Sequence, residues 1–84
     1  MTTQKLPNWK LTGDGKLLRK FKFKDFVEAF GFLTSVALES EKLGHHPEMT
    51  CVYNKVELVL TTHDAGGLTA LDYKLGRIIN GLAR

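Results

Sequence analysis

The feature that most restricts the fold of this chain is one helix-forming segment with a stop signal at each end. Asp25 can cap its start, and Glu28 follows at the spacing of a capping box. The helix should end near Leu43, because Gly44 suits the left-handed backbone that closes a helix and Pro47 prevents its continuation. Apolar residues recur along the segment at helical spacing, and we expect them to face the core. They are Phe26, Phe30, Leu33 and Ala37, flanked by Val27 and Val36.

Alternating apolar and polar residues on both sides of this helix predict two β-hairpins. Gly and Asp residues form the turn of the first hairpin, whose second strand should place Phe21 and Phe23 on the core face. Trp9 begins the first strand and is expected to lie in the core or at an interface. The strands are predicted at 9–11, 17–23, 49–53 and 56–62, with a tight turn at 54–55.

A second helix is predicted at the end of the chain. Thr69 can cap it, with Asp72 at the capping-box position. The order β-β-α-β-β-α indicates an α+β fold, in which the helices cover one face of a four-stranded antiparallel sheet. We interpret 1–84 as a single domain with 1–8 as a loose lead-in. The buried stripe of this helix should contain Leu71, Leu75, Ile78, Ile79 and Leu82.

The size and charge of the chain limit its function classes. With 84 residues it can build one modest core, so a second subunit is expected to supply further apolar contacts. The lone Cys51 indicates a reducing compartment, and the sequence has neither a membrane-spanning run nor a signal-peptide pattern, so we expect a cytoplasmic protein without a membrane partner. The net charge is only +3, and Lys20, Lys22 and Lys24 alternate with apolar residues as the wet face of a strand. Direct nucleic-acid binding is therefore not predicted.

The three histidines of the chain stand close together in sequence, which predicts an acid/base site. Imidazole has an ordinary pKa of about 6.5, so it can give or accept a proton near neutrality. His45 and His46 follow the first helix and His63 follows the last strand, while Glu41 stands four residues before His45 and can orient its ring. A bland alternative is a histidine that stabilises the helix end through the helix dipole.

Two other kinds of site remain open from the residues alone. Glu41 and the three histidines supply ligands that zinc accepts, although adjacent side chains in extended backbone point apart. Gly66 and Gly67 precede a helix start that could hold an anion, but two glycines in a loop more often form only a turn. Capping-box chemistry by itself explains Asp72. Because the side chains of the adjacent histidines are expected to point apart, we predict no metal.

The spacing of these residues resembles the signature of the pterin-4a-carbinolamine dehydratases, a family also known as dimerisation cofactors of a homeodomain transcription activator. The signature reads Glu41-x3-His45-His46-Pro47-x5-Tyr53-x9-His63-x8-Asp72. The likeness extends over roughly 9–83. It includes the stretches 23–26, 29–32, 36–38, 52–56 and 65–69.

The resemblance implies dehydration of a 4a-hydroxy-tetrahydropterin to the quinonoid dihydropterin, in recycling of the tetrahydrobiopterin used by aromatic amino acid hydroxylases. His45 and His63 would then be the acid/base pair and His46 would hold the pterin. Glu41 would orient His45, and Asp72 would support the third histidine or the wall of the site. Pro47, Glu48 and Asp64 would complete the surroundings of the substrate. No cofactor beyond the pterin substrate is implied.

The resemblance allows two alternative functions, and the chain differs from the family pattern at three points. Members of the family can act as dimerising interaction modules for a transcription factor, and a chain of this kind could serve a different pterin. A homodimer or homotetramer is implied. The family's N-terminal helix is expected to be absent here, Met49 stands where many members have tryptophan, and Asp64 stands where many have glutamate.

Overall fold

The computed structural model describes residues 6–83, except for the side chain of His63. It contains two helices and a four-stranded sheet, so the α+β prediction is confirmed. Each strand differs from its expected bounds by one or two residues at an end. The elements are β1 (Lys10–Leu11), β2 (Leu17–Lys22), α1 (Phe26–Leu43), β3 (Glu48–Val52), β4 (Lys55–Leu60) and α2 (Ala70–Leu82), with a 3₁₀ turn at His63–Ala65.

The sheet is antiparallel throughout, with strand order β1-β2-β4-β3. Both predicted hairpins form, and β2 of the first pairs with β4 of the second along its whole length. Asn54 fixes this junction, because its carbonyl accepts from the Phe23 N–H at 2.8 Å and its side-chain amide donates to the Phe23 carbonyl at 2.9 Å. The β3–β4 turn therefore lies at Tyr53 and Asn54, one residue before the predicted position.

Both helices contribute to one core on the inner face of the sheet. Phe21 and Phe23 pack against this core and contact Phe32 of α1 at ring-centroid distances of 4.8 and 5.0 Å. The opposite face of the sheet carries the exposed side chains of Lys20 and Lys22, as the alternation predicted. The buried apolar residues are Leu6, Trp9, Leu17, Ala29, Phe32, Val36, Val56, Leu58, Leu60, Leu75 and Ile79.

Helix α1 has the predicted ends but a different buried face. The backbone N–H of Glu28 donates to the Asp25 side chain at 2.9 Å, and Gly44 closes the helix with φ of 70°. The expected stripe is right only in part: Val36 is buried and Leu33 packs against the core, whereas Phe26 and Phe30 are about half exposed, at 49% and 56%. The face that packs on the sheet carries Ala29, Phe32, Val36 and Ser40.

Helix α2 begins after Thr69, as predicted, and holds the chain before β1 in place. Its Asn80 accepts a hydrogen bond from the Trp9 indole at 2.8 Å and donates to the Pro7 carbonyl at 3.0 Å. Leu6 is buried against Gly76 of the same helix. The loose lead-in predicted for 1–8 is therefore wrong at 6–8, while 1–5 and the question of a preceding helix lie outside the described residues.

Two residues of the predicted buried stripe of α2 are not buried. Leu71 and Leu82 are exposed by 40% and 37%, whereas Asp72 and Gly76 join Leu75 and Ile79 on the buried side. Small and capping residues therefore form part of the face that packs inward. Within residues 6–83, neither helix is both long and apolar enough to cross a membrane.

Candidate active site

The candidate site lies where three segments of the chain meet: the end of α1, the end of β4 and the start of α2. Gly44 terminates α1 in the left-handed conformation, and the backbone N–H groups of Gly44 and His45 both donate to the Ser40 carbonyl, at 2.9 and 3.1 Å. This turn satisfies the last carbonyls of the helix and sends the chain toward β3. His45 is thereby directed inward at a defined point of the backbone.

His45 forms a buried pair with Asp72. Its Nε2 lies 2.6 Å from Asp72 Oδ1, and the two residues are 9% and 0% exposed. An ionised carboxylate only accepts hydrogen bonds, so the ring must donate through Nε2–H. The neutral His45 ring then keeps its lone pair on Nδ1, which is the atom that can exchange a proton with a bound molecule.

The Asp72 carboxylate is held by two further donors. Its Oδ2 accepts from the Thr62 hydroxyl at 2.7 Å and from the Thr69 backbone N–H at 2.9 Å. The second of these bonds is the half of the predicted capping box in which the side chain reaches back to the N-cap. A fully buried carboxylate requires such partners, because an unpaired charge in the interior is costly.

His46 forms a second histidine–carboxylate pair, but an exposed one. Its Nε2 lies 2.6 Å from Glu41 Oε1, with side-chain exposures of 60% and 76%. By the same reasoning His46 donates through Nε2–H, and the neutral form of its ring carries the lone pair on Nδ1. Solvent screens this pair, so we expect it to orient the ring with little effect on stability.

The pairing of Glu41 with His45 that the sequence predicted is therefore wrong. The four-residue rule holds inside a helix, whereas α1 ends at Leu43 and the left-handed Gly44 takes His45 off the helical path. Glu41 meets His46 instead, and Asp72, expected beside the third histidine or in the site wall, meets His45. Each of the two adjacent histidines thus has its own carboxylate.

A cleft of about 270 Å³ opens beside these pairs. Asp64, one of the predicted substrate-side residues, lines it, and His63 begins the 3₁₀ turn at its edge, although the structure does not describe the His63 side chain. Pro47 is buried, and Glu48 lies 3.8 Å from Lys16 and is not one of the lining residues. The lining residues are Gly44, His45, His46, Thr61, Thr62 and Asp64.

The sequence did not point to Thr62 as a site residue. It stands two residues after the end of β4 and ten before Asp72, and no helical or strand period links it to Asp72. Their contact follows from the turn that brings the start of α2 back against the end of β4.

Across the described residues, no group of three or more His, Cys, Asp or Glu side chains is arranged to hold a metal ion.

Comparison with known proteins finds relatives that are similar over most of the chain. The sequence profile described as "Pterin 4 alpha carbinolamine dehydratase" matches residues 1–82. A protein of Prochlorococcus marinus named "Putative pterin-4-alpha-carbinolamine dehydratase" is 52% identical over 77 residues, which cover 92% of this chain and 79% of the relative.

Two solved structures share the fold. One is described as a transcriptional coactivator/pterin dehydratase from Brucella melitensis, with a TM-score of 0.90 and 46% identity over 94% of this chain and 85% of that one. The other is described as a pterin dehydratase-like protein and a RuBisCO assembly factor in the alpha-carboxysome. Its TM-score is 0.77 at 22% identity, over 90% of this chain and 89% of that one, so it shows likeness of fold alone.

Proposed function

The chain belongs to the pterin-4a-carbinolamine dehydratase family, and on that basis we propose that it dehydrates a 4a-hydroxy-tetrahydropterin to the quinonoid dihydropterin. The observation that carries this proposal is the buried His45–Asp72 pair beside a cleft that His46 also lines. The physiological role we propose is recycling of tetrahydrobiopterin. A cytoplasmic location belongs to the same proposal, supported by the single free Cys51.

The reaction needs two proton transfers and no change of oxidation state. A proton is added to the hydroxyl oxygen on C4a, the C4a–O bond breaks and water leaves. A proton is lost from N5, and the C4a=N5 double bond forms. One general acid and one general base are therefore sufficient, and the chemistry requires no redox cofactor or nucleotide.

The contacts support a definite division of roles. His45 exchanges a proton through Nδ1, because Asp72 occupies its Nε2, and it is the histidine whose position the interior fixes most firmly. His46 is exposed and paired with Glu41, which suits a residue that binds the pterin rather than one that must hold a fixed geometry. His63 completes the acid/base pair in this proposal. Its support is the signature and its place at the edge of the cleft.

The test is the dehydration of freshly generated 4a-hydroxy-tetrahydropterin, followed by absorbance, with wild type and His63→Ala. We expect wild type to exceed the spontaneous rate and His63→Ala to lose about 10²–10⁴-fold, the usual contribution of one acid or base. Lys74→Ala, an exposed position of α2, is the control and should retain the wild-type rate. No acceleration by folded wild type would contradict the proposal.

A second candidate is a non-catalytic interaction module, favoured by the likeness to the Brucella melitensis protein, which is described as a transcriptional coactivator/pterin dehydratase. A module of that kind would not need the buried His45–Asp72 pair, so His45→Ala would leave partner binding intact. A dehydratase would lose turnover and remain folded. The same fold could also act on another pterin, which substrate profiling would identify.

We also propose that the protein self-associates through the outer face of α1. Val27, Phe30 and Leu38 are 79%, 56% and 61% exposed, and they lie on the side of the helix turned away from the sheet. Large apolar side chains exposed together on one helix commonly mark an interface, and an 84-residue chain gains stability from one.

A further inference from the structure

We propose that Thr62 is a positioning residue of the active site, whose hydroxyl fixes the Asp72 carboxylate and through it the His45 ring. The proposal rests on the proposed function, since it concerns the same site, but it assigns a role to a residue outside the family signature. Thr62 also lines the cleft and directly precedes the turn that carries His63. Thr62 is therefore next to His63 in the chain, and through Asp72 it is linked to His45.

The direction of the hydrogen bonds around Thr62 follows from its single hydroxyl proton. That proton is donated to Asp72 Oδ2 at 2.7 Å, because the carboxylate can only accept. The Thr62 oxygen is then left to accept from the Thr69 hydroxyl, 2.9 Å away. The chain of donors runs from Thr69 through Thr62 to Asp72, with His45 donating to the other carboxylate oxygen.

This arrangement locks the rotation of the carboxylate. Thr62 and the Thr69 N–H both hold Oδ2, which leaves Oδ1 facing His45. Without the Thr62 hydroxyl, Oδ2 keeps only one donor and the carboxylate can turn, so the Nε2–H tautomer of His45 loses part of its support. That tautomer is what leaves Nδ1 available for the substrate.

The backbone of Thr62 is also anchored. Its N–H donates to the Gly67 carbonyl at 3.1 Å, and its carbonyl accepts from the N–H groups of Ala65 at 3.1 Å and Gly67 at 3.3 Å. The hydroxyl therefore starts from a fixed point, as a positioning group must. Thr50 provides a contrast, since it is exposed on β3 outside the cleft and no hydrogen bond of its side chain occurs in the described part of the chain.

The first experiment compares Thr62→Val, which removes the hydroxyl at nearly constant shape, with Thr50→Val, the same change at an exposed position of β3 outside the cleft, as the control. We expect Thr62→Val to lower kcat about tenfold, the size of one hydrogen bond to a charged group, with KM little changed. Thr62→Ser should restore kcat, because it keeps the hydroxyl. A kcat for Thr62→Val equal to that of Thr50→Val, or a loss in Thr62→Ser as large as in Thr62→Val, would overturn the proposal.

The second measurement needs no turnover. In protein with ¹⁵N-labelled histidine, two-bond ¹H–¹⁵N correlations report the tautomer of His45. Wild type and Thr50→Val should show the Nε2–H form, whereas Thr62→Val should show a mixture with the Nδ1–H form. An unchanged tautomer in Thr62→Val would overturn the proposal whatever the kinetics, and absence of dehydratase activity in wild type would contradict only the proposed function. If Thr62→Val does not fold, Thr62→Ala gives the same comparison.

Discussion

At the scale of single residues, burial separates two pairs that have the same chemistry. His45–Asp72 and His46–Glu41 have equal separations of 2.6 Å, yet the first is enclosed and the second lies in solvent. A hydrogen bond to a charge strengthens as water is excluded, and the penalty for losing one partner rises with it. We therefore expect His45 to keep a fixed geometry and His46 to adapt its contacts to the bound molecule.

The paired substitutions Asp72→Asn and Glu41→Gln test this difference. Asp72 accepts three hydrogen bonds, whereas an asparagine amide presents N–H groups to at least one of those donors. We expect kcat to fall about 10²-fold and the free energy of unfolding to drop by about 1–3 kcal/mol. Glu41→Gln should change KM by a few fold and leave the urea midpoint unchanged. A greater loss of kcat in Glu41→Gln than in Asp72→Asn would contradict the assignment.

At the scale of elements, the sequence was informative about where helices begin and end and less so about what they face. Asp25 and Gly44 act locally, so their caps could be predicted from a few residues. The buried face of α1 depends on the sheet, and the helix has apolar side chains on both sides, so spacing alone could not choose between Phe30 and Phe32.

In the candidate site, too, local features could be predicted from the sequence and tertiary contacts could not. Histidine spacing placed His45 and His46 at the end of α1, where the structure has them, because a helix stop is a local signal. The partner of each histidine was not predictable, because Gly44 changes the direction of the backbone and Asp72 comes from a distant helix. The hydrogen bond of Thr62 to Asp72 is likewise tertiary.

Two glycines of α2 give a test of how that helix packs. A Cβ at Gly76 would lie 2.2 Å from Leu6 Cδ2, while a Cβ at Gly81 would meet nothing within 4 Å. Gly81→Ala should raise the free energy of unfolding by about 0.5–1 kcal/mol through helix propensity. Gly76→Ala should be less stable than Gly81→Ala, because the Leu6 side chain must shift from its packed position to make room for the added methyl group. Urea unfolding of both variants measures this, and equal stabilisation would show that Leu6 does not pack there.

At the scale of the whole molecule, the exposed face of α1 and the small core predict an assembly. Sedimentation velocity should give wild type a mass that is a multiple of the 9.4 kDa chain. Val27→Lys combined with Leu38→Lys should shift the protein toward monomer, since a charge at an apolar interface is costly. Lys74→Glu, on an exposed position of α2, is the control. A monomeric wild type would contradict self-association and leave the catalytic account in place.

The most direct test of the central claim is the rate of dehydration of 4a-hydroxy-tetrahydropterin by His45→Ala beside wild type, at equal far-ultraviolet circular dichroism. We propose that His45, held by Asp72, transfers a proton to or from the substrate. We expect the mutant rate to fall about 10²–10⁴-fold toward the spontaneous rate, while Lys74→Ala matches wild type. A folded His45→Ala protein that dehydrates the substrate at the wild-type rate would contradict the account.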